Sequence, residues 1–133
     1  HALGYYKSAA RTSGAGISKL NSLAEHAYAE NNYRLAEAAL RSVAQIVPDS
    51  AEARRTLGVL LVKKGRYDDA ITELQAAGKL APGSADVFVD LAIACDRAGK
   101  HDQARTAFEY ALRIDPEIGV RRRMTAYFRN LEP

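Results

Sequence analysis

The sequence predicts an all-α fold, an α-α superhelix of antiparallel helix pairs. Three observations predict it. Residue types recur every 34 positions, apolar residues within each period recur at helical spacings, and period-2 alternation of useful length is missing. Pro48, Pro82 and Pro116 carry the period, as do Leu23, Leu57 and Leu91. Ala24, Gly58 and Ala92 repeat it, then Ala36, Ala70 and Ala104, then Leu40, Leu74 and Phe108, then Val43, Ala77 and Ala111. Tyr33, Tyr67 and His101 form another series. So many coincident columns define tandem units at 17–50, 51–84 and 85–118.

Each unit divides into two helices. In the middle unit Ala53, Leu57, Leu60 and Leu61 make the first stripe, and Tyr67, Ala70, Ile71, Leu74 and Ala77 make the second. Gly65 and Gly99 sit where the first helix must end, since glycine takes the left-handed conformation at little cost; Asn31 is the next best residue in the same column. Ser50 and Ser84 are placed to cap first helices. Glu52 and Asp86 follow in the first turn, where the helix dipole favours negative charge. The three prolines close the second helices.

Both ends extend the array. Ala2, Tyr6 and Ala9 stand 34 positions before Ala36, Leu40 and Val43, so residues 1–16 are expected to hold the second helix of a preceding unit, at about 2–12, packed on a helix at about 17–30. At the other end Val120, Met124, Tyr127, Phe128 and Leu131 predict an amphipathic capping helix within 119–133. Arg121, Arg122, Arg123 and Arg129 would form its solvated face. The small residues at Ala24, Gly58, Ala92, Ala36, Ala70 and Ala104 predict close approach of paired helices.

Composition bounds the function. A chain of 133 residues is one domain or one array. With 47% apolar and 26% charged residues it is globular rather than disordered. No apolar run approaches the ~20 residues of a membrane span. The single cysteine, Cys95, excludes a disulfide framework and a multi-cysteine metal site. A net charge of +3 is too small to point to nucleic acid. Abundant Ala, with Arg exceeding Lys, fits a GC-rich bacterial genome, and a cytoplasmic setting is expected. The chain begins with His1 rather than Met, as expected of a piece of a longer protein or of a tag remnant.

These columns resemble the tetratricopeptide repeat. The middle unit matches that pattern with Leu57, Gly58, Leu61, Gly65, Tyr67, Ala70, Leu74, Ala77 and Pro82. The third matches with Phe88, Leu91, Ala92, Gly99, Ala104, Phe108, Ala111 and Pro116, and the first with Leu20, Leu23, Ala24, Tyr33, Ala36, Leu40, Val43 and Pro48. Arg54 and His101 depart from it, at an aromatic and a Tyr position. The resemblance implies a concave groove lined by first helices, in which a peptide or helix of another protein binds. Carried over position by position, the groove residues are Asn21, Glu25 and Tyr28 from the first unit and Arg55, Val59, Val62 and Lys63 from the second. Val89, Asp90, Ile93, Asp96 and Arg97 come from the third. Val59, Val62, Val89 and Ile93 are expected to form an exposed apolar strip, which marks an interaction site; the alternative is that the chain's own terminal helix or a neighbouring molecule covers them. One subclass of the family clamps a C-terminal carboxylate; here the matching positions are Asn21, Glu25, Thr56, Asp86 and Asp90, and three acids among them argue against such a clamp.

No catalytic, cofactor or metal site is expected. His1, His26 and His101 have no partner at metal-binding spacing. His26 is expected to pack between helices, and Cys95, in a core column, to be an inert buried thiol. Asp68 and Asp69 suit a helix dipole rather than acid–base chemistry. The expected function is a non-catalytic scaffold or adaptor that binds a protein or peptide. A regulatory or recruitment domain of a larger enzyme or signalling protein, and self-association through the array ends, are the alternatives. For the Arg121–Arg123 run, a solvated cap is favoured over contact with nucleic acid, an acidic partner or anionic lipid.

Overall fold

The computed structural model describes residues 3–4 and 14–124. Among them every regular element is helical: α1 (Gly14–Ala29), α2 (Tyr33–Ile46), α3 (Ala51–Lys63), α4 (Tyr67–Leu80), α5 (Ala85–Arg97), α6 (His101–Ile114) and the short α7 (Ile118–Arg121). The helices pair as α1–α2, α3–α4 and α5–α6, and α2 and α4 also pack on the first helix of the next pair. Leu3 and Gly4 are helical. The rest of the expected helix at 2–12 lies outside the described residues.

The helix stops follow one design. Asn31, Gly65 and Gly99 all have positive φ, at 61°, 76° and 81°. After each, the next backbone N–H donates back to a carbonyl in the last turn of the first helix: Asn32 to Ala27 at 2.7 Å, Arg66 to Leu61 at 2.9 Å and Lys100 to Cys95 at 2.8 Å. This left-handed stop satisfies carbonyls that a helix end would otherwise leave bare. At the starts, the Ser50 hydroxyl accepts from the Ala53 N–H at 3.2 Å. Ser84 occupies the same place with extended backbone but makes no side-chain cap bond.

Small residues bring the helices together. Ala36, Ala70 and Ala104 are fully buried, as are Leu20, Leu57, Leu61 and Leu74. At Gly58 a Cβ would lie 2.5 Å from the Leu74 Cγ, so α3 and α4 meet with no room for a methyl group. Each buried leucine contributes about 2 kcal/mol of transfer free energy, and the units share one continuous core.

The C-terminal expectation needs correction. The helix that begins at Ile118 ends after one turn, because Arg123 adopts a left-handed φ of 55° and the Met124 N–H donates to the Gly119 carbonyl at 2.7 Å. A single helix from 119 onward is therefore broken at 123. Tyr127, Phe128, Arg129 and Leu131 lie outside the described residues. Val120, expected on the apolar face, is 67% exposed, and Ile118 is the residue buried against the array.

Candidate peptide-binding site

The predicted groove residues separate into two halves. In the N-terminal half a cleft of about 520 Å³ opens between α1 and α3, with α2 behind it. Ala24, Ala36, Leu40, Ala53 and Leu60 form an apolar lining, and small side chains at three of these positions leave the space open. Asn21, Glu25, Tyr28 and Val59, all expected from the repeat register, line the same cleft, together with Ser50, Glu52 and Thr56. Tyr28 leans on Tyr33, ring centroids 5.5 Å apart.

In the C-terminal half, ion pairs within the chain link α3, α5 and the end of α7. Arg55 on α3 donates from Nε to Asp90 Oδ2 on α5 at 2.6 Å. Arg122, arriving from the end of α7, donates to Asp86 Oδ1 at 2.6 Å and to Asp90 Oδ1 at 2.8 Å. The Arg122 hydrogen bond holds the Asp86 carboxyl below its ordinary value, against the opposing effect of partial burial. Burial pushes the Arg122 guanidinium down, and the hydrogen bonds to Asp90 and Asp86 more than reverse this.

Several expectations are corrected here. Val89, on the turn of α5 between Asp86 and Asp90, is 0% exposed, and Asp90 is 6% exposed with both carboxylate oxygens engaged. Val62 and Ile93 pack half-buried against the core. The exposed strip of four aliphatics therefore does not exist; Val59 is the member that lines the open cleft. Asp96 Oδ1 pairs with His101 Nδ1 at 2.8 Å, at the α5–α6 turn. Lys63 is exposed, and exposed Arg97 borders a shallow hollow with Arg66 and Asp68, away from the cleft. His26 does not pack between helices: its imidazole is exposed and faces Glu30 at 3.2 Å. The arginine run is not a uniform solvated face, since Arg121 pairs with Asp115 at 2.7 Å and Arg122 is taken up as above.

Glu37 on α2 carries no mark in the sequence pattern. It receives Lys64 at 2.6 Å, Arg41 at 2.8 Å and Arg66 at 3.0 Å, tying the first unit to the α3–α4 turn. Burial alone would raise its carboxyl, but the hydrogen bonds from Lys64 and Arg41 and the charges of Lys64 and Arg66 lower it to about 2. Ile71 stands in the same column of the next unit, so the period holds no signal for it. Cys95 is buried, and desolvation pushes its thiol up. No group of three or more His, Cys, Asp or Glu side chains that could hold a metal ion occurs among the described residues. No helix among them is long and apolar enough to cross a membrane.

Family models described as tetratricopeptide repeat match residues 27–88 and 85–118. No curated protein matches the chain. Among solved structures, a MamA mutant is 29% identical with a TM-score of 0.69, over 74% of this chain and 72% of that one. A mutant of the Thermobaculum terrenum O-GlcNAc transferase is 32% identical with a TM-score of 0.72, over 79% of this chain and 20% of the transferase. The Yersinia enterocolitica type III secretion chaperone SycD, in complex with a peptide of the translocator YopD, superposes with a TM-score of 0.81 over 90% of this chain and 95% of that one. At 16% identity the last likeness is one of fold alone.

Proposed function

Because the chain belongs to the tetratricopeptide repeat family, we propose that it is a non-catalytic protein–protein interaction module, a scaffold or adaptor. The α1–α3 cleft takes a peptide or helix of the partner. The observation that carries this reading is the cleft itself, open, apolar-floored and polar-rimmed. Its volume falls within the ~300–1,000 Å³ of ordinary ligand pockets. SycD, which shares the fold, is found with a peptide of its translocator, and this supports the reading. Lys63, Asp96 and Arg97 are left outside the contact zone, as are Arg55, Val89 and Asp90.

Site-specific photo-crosslinking tests it. A photoreactive residue at Val59 or Thr56 is expected to capture the partner in native extract, and one at Gln75, away from the cleft, is not. Capture at Gln75 alone removes the reading. A second reading, an array that recruits or regulates a larger enzyme or signalling protein, is favoured by the likeness to part of a glycosyltransferase. It predicts that the crosslinked species is a catalytic polypeptide whose activity changes when Val59 becomes Glu. The proposal includes a cytoplasmic setting, and recovery from a membrane or extracytoplasmic fraction would remove that part.

A further inference from the structure

The charges around the open cleft specify the chemistry of its occupant. Glu25 and Glu52 line it, and no Lys or Arg does so among the described residues. Neither carboxylate has an ion-pair partner among the described residues. Elsewhere on the inner wall the acids are answered: Asp90 by Arg55 and Arg122, Asp86 by Arg122.

The repeat register makes the comparison direct. Glu52 is the residue 34 positions before Asp86, in the same first turn of a first helix. At Asp86 that position binds a guanidinium, donated by the chain's own Arg122 at 2.6 Å. At Glu52 the equivalent position faces the cleft, beside the apolar floor of Ala24, Leu40, Ala53 and Leu60, and no described Lys or Arg of the chain reaches it. The molecule thus shows at Asp86 how this repeat position holds a cation. At Glu52 the same position adjoins a space that suits an apolar side chain.

We infer that the α1–α3 cleft recognises a partner segment in which an arginine or lysine adjoins a bulky apolar residue. The cation pairs with Glu52 and Glu25, and the apolar side chain enters against Leu40 and Leu60. This rests on the reading of the cleft as a binding site, and it adds the class of peptide. An acidic segment is rejected, since two carboxylates meet it at the rim.

The test uses a random dodecapeptide library displayed on phage and selected against the immobilised full chain. Enriched peptides are then synthesised and measured by fluorescence polarisation. The expected result is enrichment of Arg or Lys next to Leu, Ile, Met, Phe or Tyr. Glu25→Gln with Glu52→Gln should weaken the selected peptides about tenfold, the scale of a lost charge-assisted hydrogen bond. Added salt should weaken wild-type binding more than binding by this variant. Glu25→Lys with Glu52→Lys, its helical circular dichroism unchanged, should select acidic peptides instead.

Peptides that lose binding with Val59→Glu but show no cation preference and ignore the Gln substitutions overturn this inference while leaving the cleft reading intact. Peptides indifferent to Val59→Glu, or no enrichment at all, overturn both. Concentration-dependent dimers abolished by the Gln substitutions would make a second copy of this chain the occupant, and would overturn the inferred partner.

Discussion

Gly58 lacks a side chain because Leu74 takes its place, and α3 and α4 leave no room for a Cβ there. Gly58→Val is expected to destabilise the fold by about 1–3 kcal/mol, as overpacking does; thermal denaturation followed by circular dichroism checks it. Glu37 sets an acid limb of stability. Its folded carboxyl is lowered from 4.5 to about 2, so its contribution is complete above 4.5 and disappears as the pH falls from 4.5 toward 2. Its partners are partly exposed and screened, so Glu37→Gln should cost about 1 kcal/mol at pH 7 and almost nothing at pH 2. Urea titrations at the two pH values measure the difference. Cys95 combines burial with a raised thiol, and its modification by a thiol reagent should be slow in buffer and fast in denaturant.

At the scale of the element, the stops are the most legible feature. Gly65, Gly99 and Asn31 are readable as left-handed positions because that conformation selects residue type strongly. Gly65→Ala should cost about 1 kcal/mol, the penalty of a Cβ at positive φ, and Asn31→Gly should recover part of such a penalty in the first unit; chemical denaturation compares the two. The pairing of helices is equally legible, since small residues recurring in register mark where helices touch. The reach of long side chains is not. Val89 reads as a groove aliphatic from register but packs into the core, and the Arg122–Asp86 contact spans 36 residues with no periodic signature. Arg123 is silent in the same way: an arginine at positive φ carries no compositional warning, so the turn that breaks the expected capping helix is invisible in the sequence. Four residues of the open cleft follow from register, whereas its floor depends on Leu40, a second-helix residue seen through the gap between α1 and α3.

For the whole molecule, the inner wall divides into a C-terminal half crossed by ion pairs and an N-terminal half that holds the cleft. Stability in such arrays is shared between neighbours, so loosening the last unit should propagate. Arg122→Ala is expected to cost about 1–2 kcal/mol through lost charge-assisted hydrogen bonds, and to return the Asp86 carboxyl toward its ordinary value. Carboxyl-carbon NMR titration follows that return directly.

The way Arg122 is used also bears on where such a protein can be cut. The 34-residue register ends at 118, and a biochemist trimming to whole repeats would stop there. That cut would strip the cation from Asp86 and one of two from Asp90. The shortened array would then leave the Asp86 carboxylate without its guanidinium, with Arg55 still holding Asp90. A screen performed on it would mix peptides held by Asp86 with those held at the α1–α3 cleft, and only the longer chain would tell the two apart.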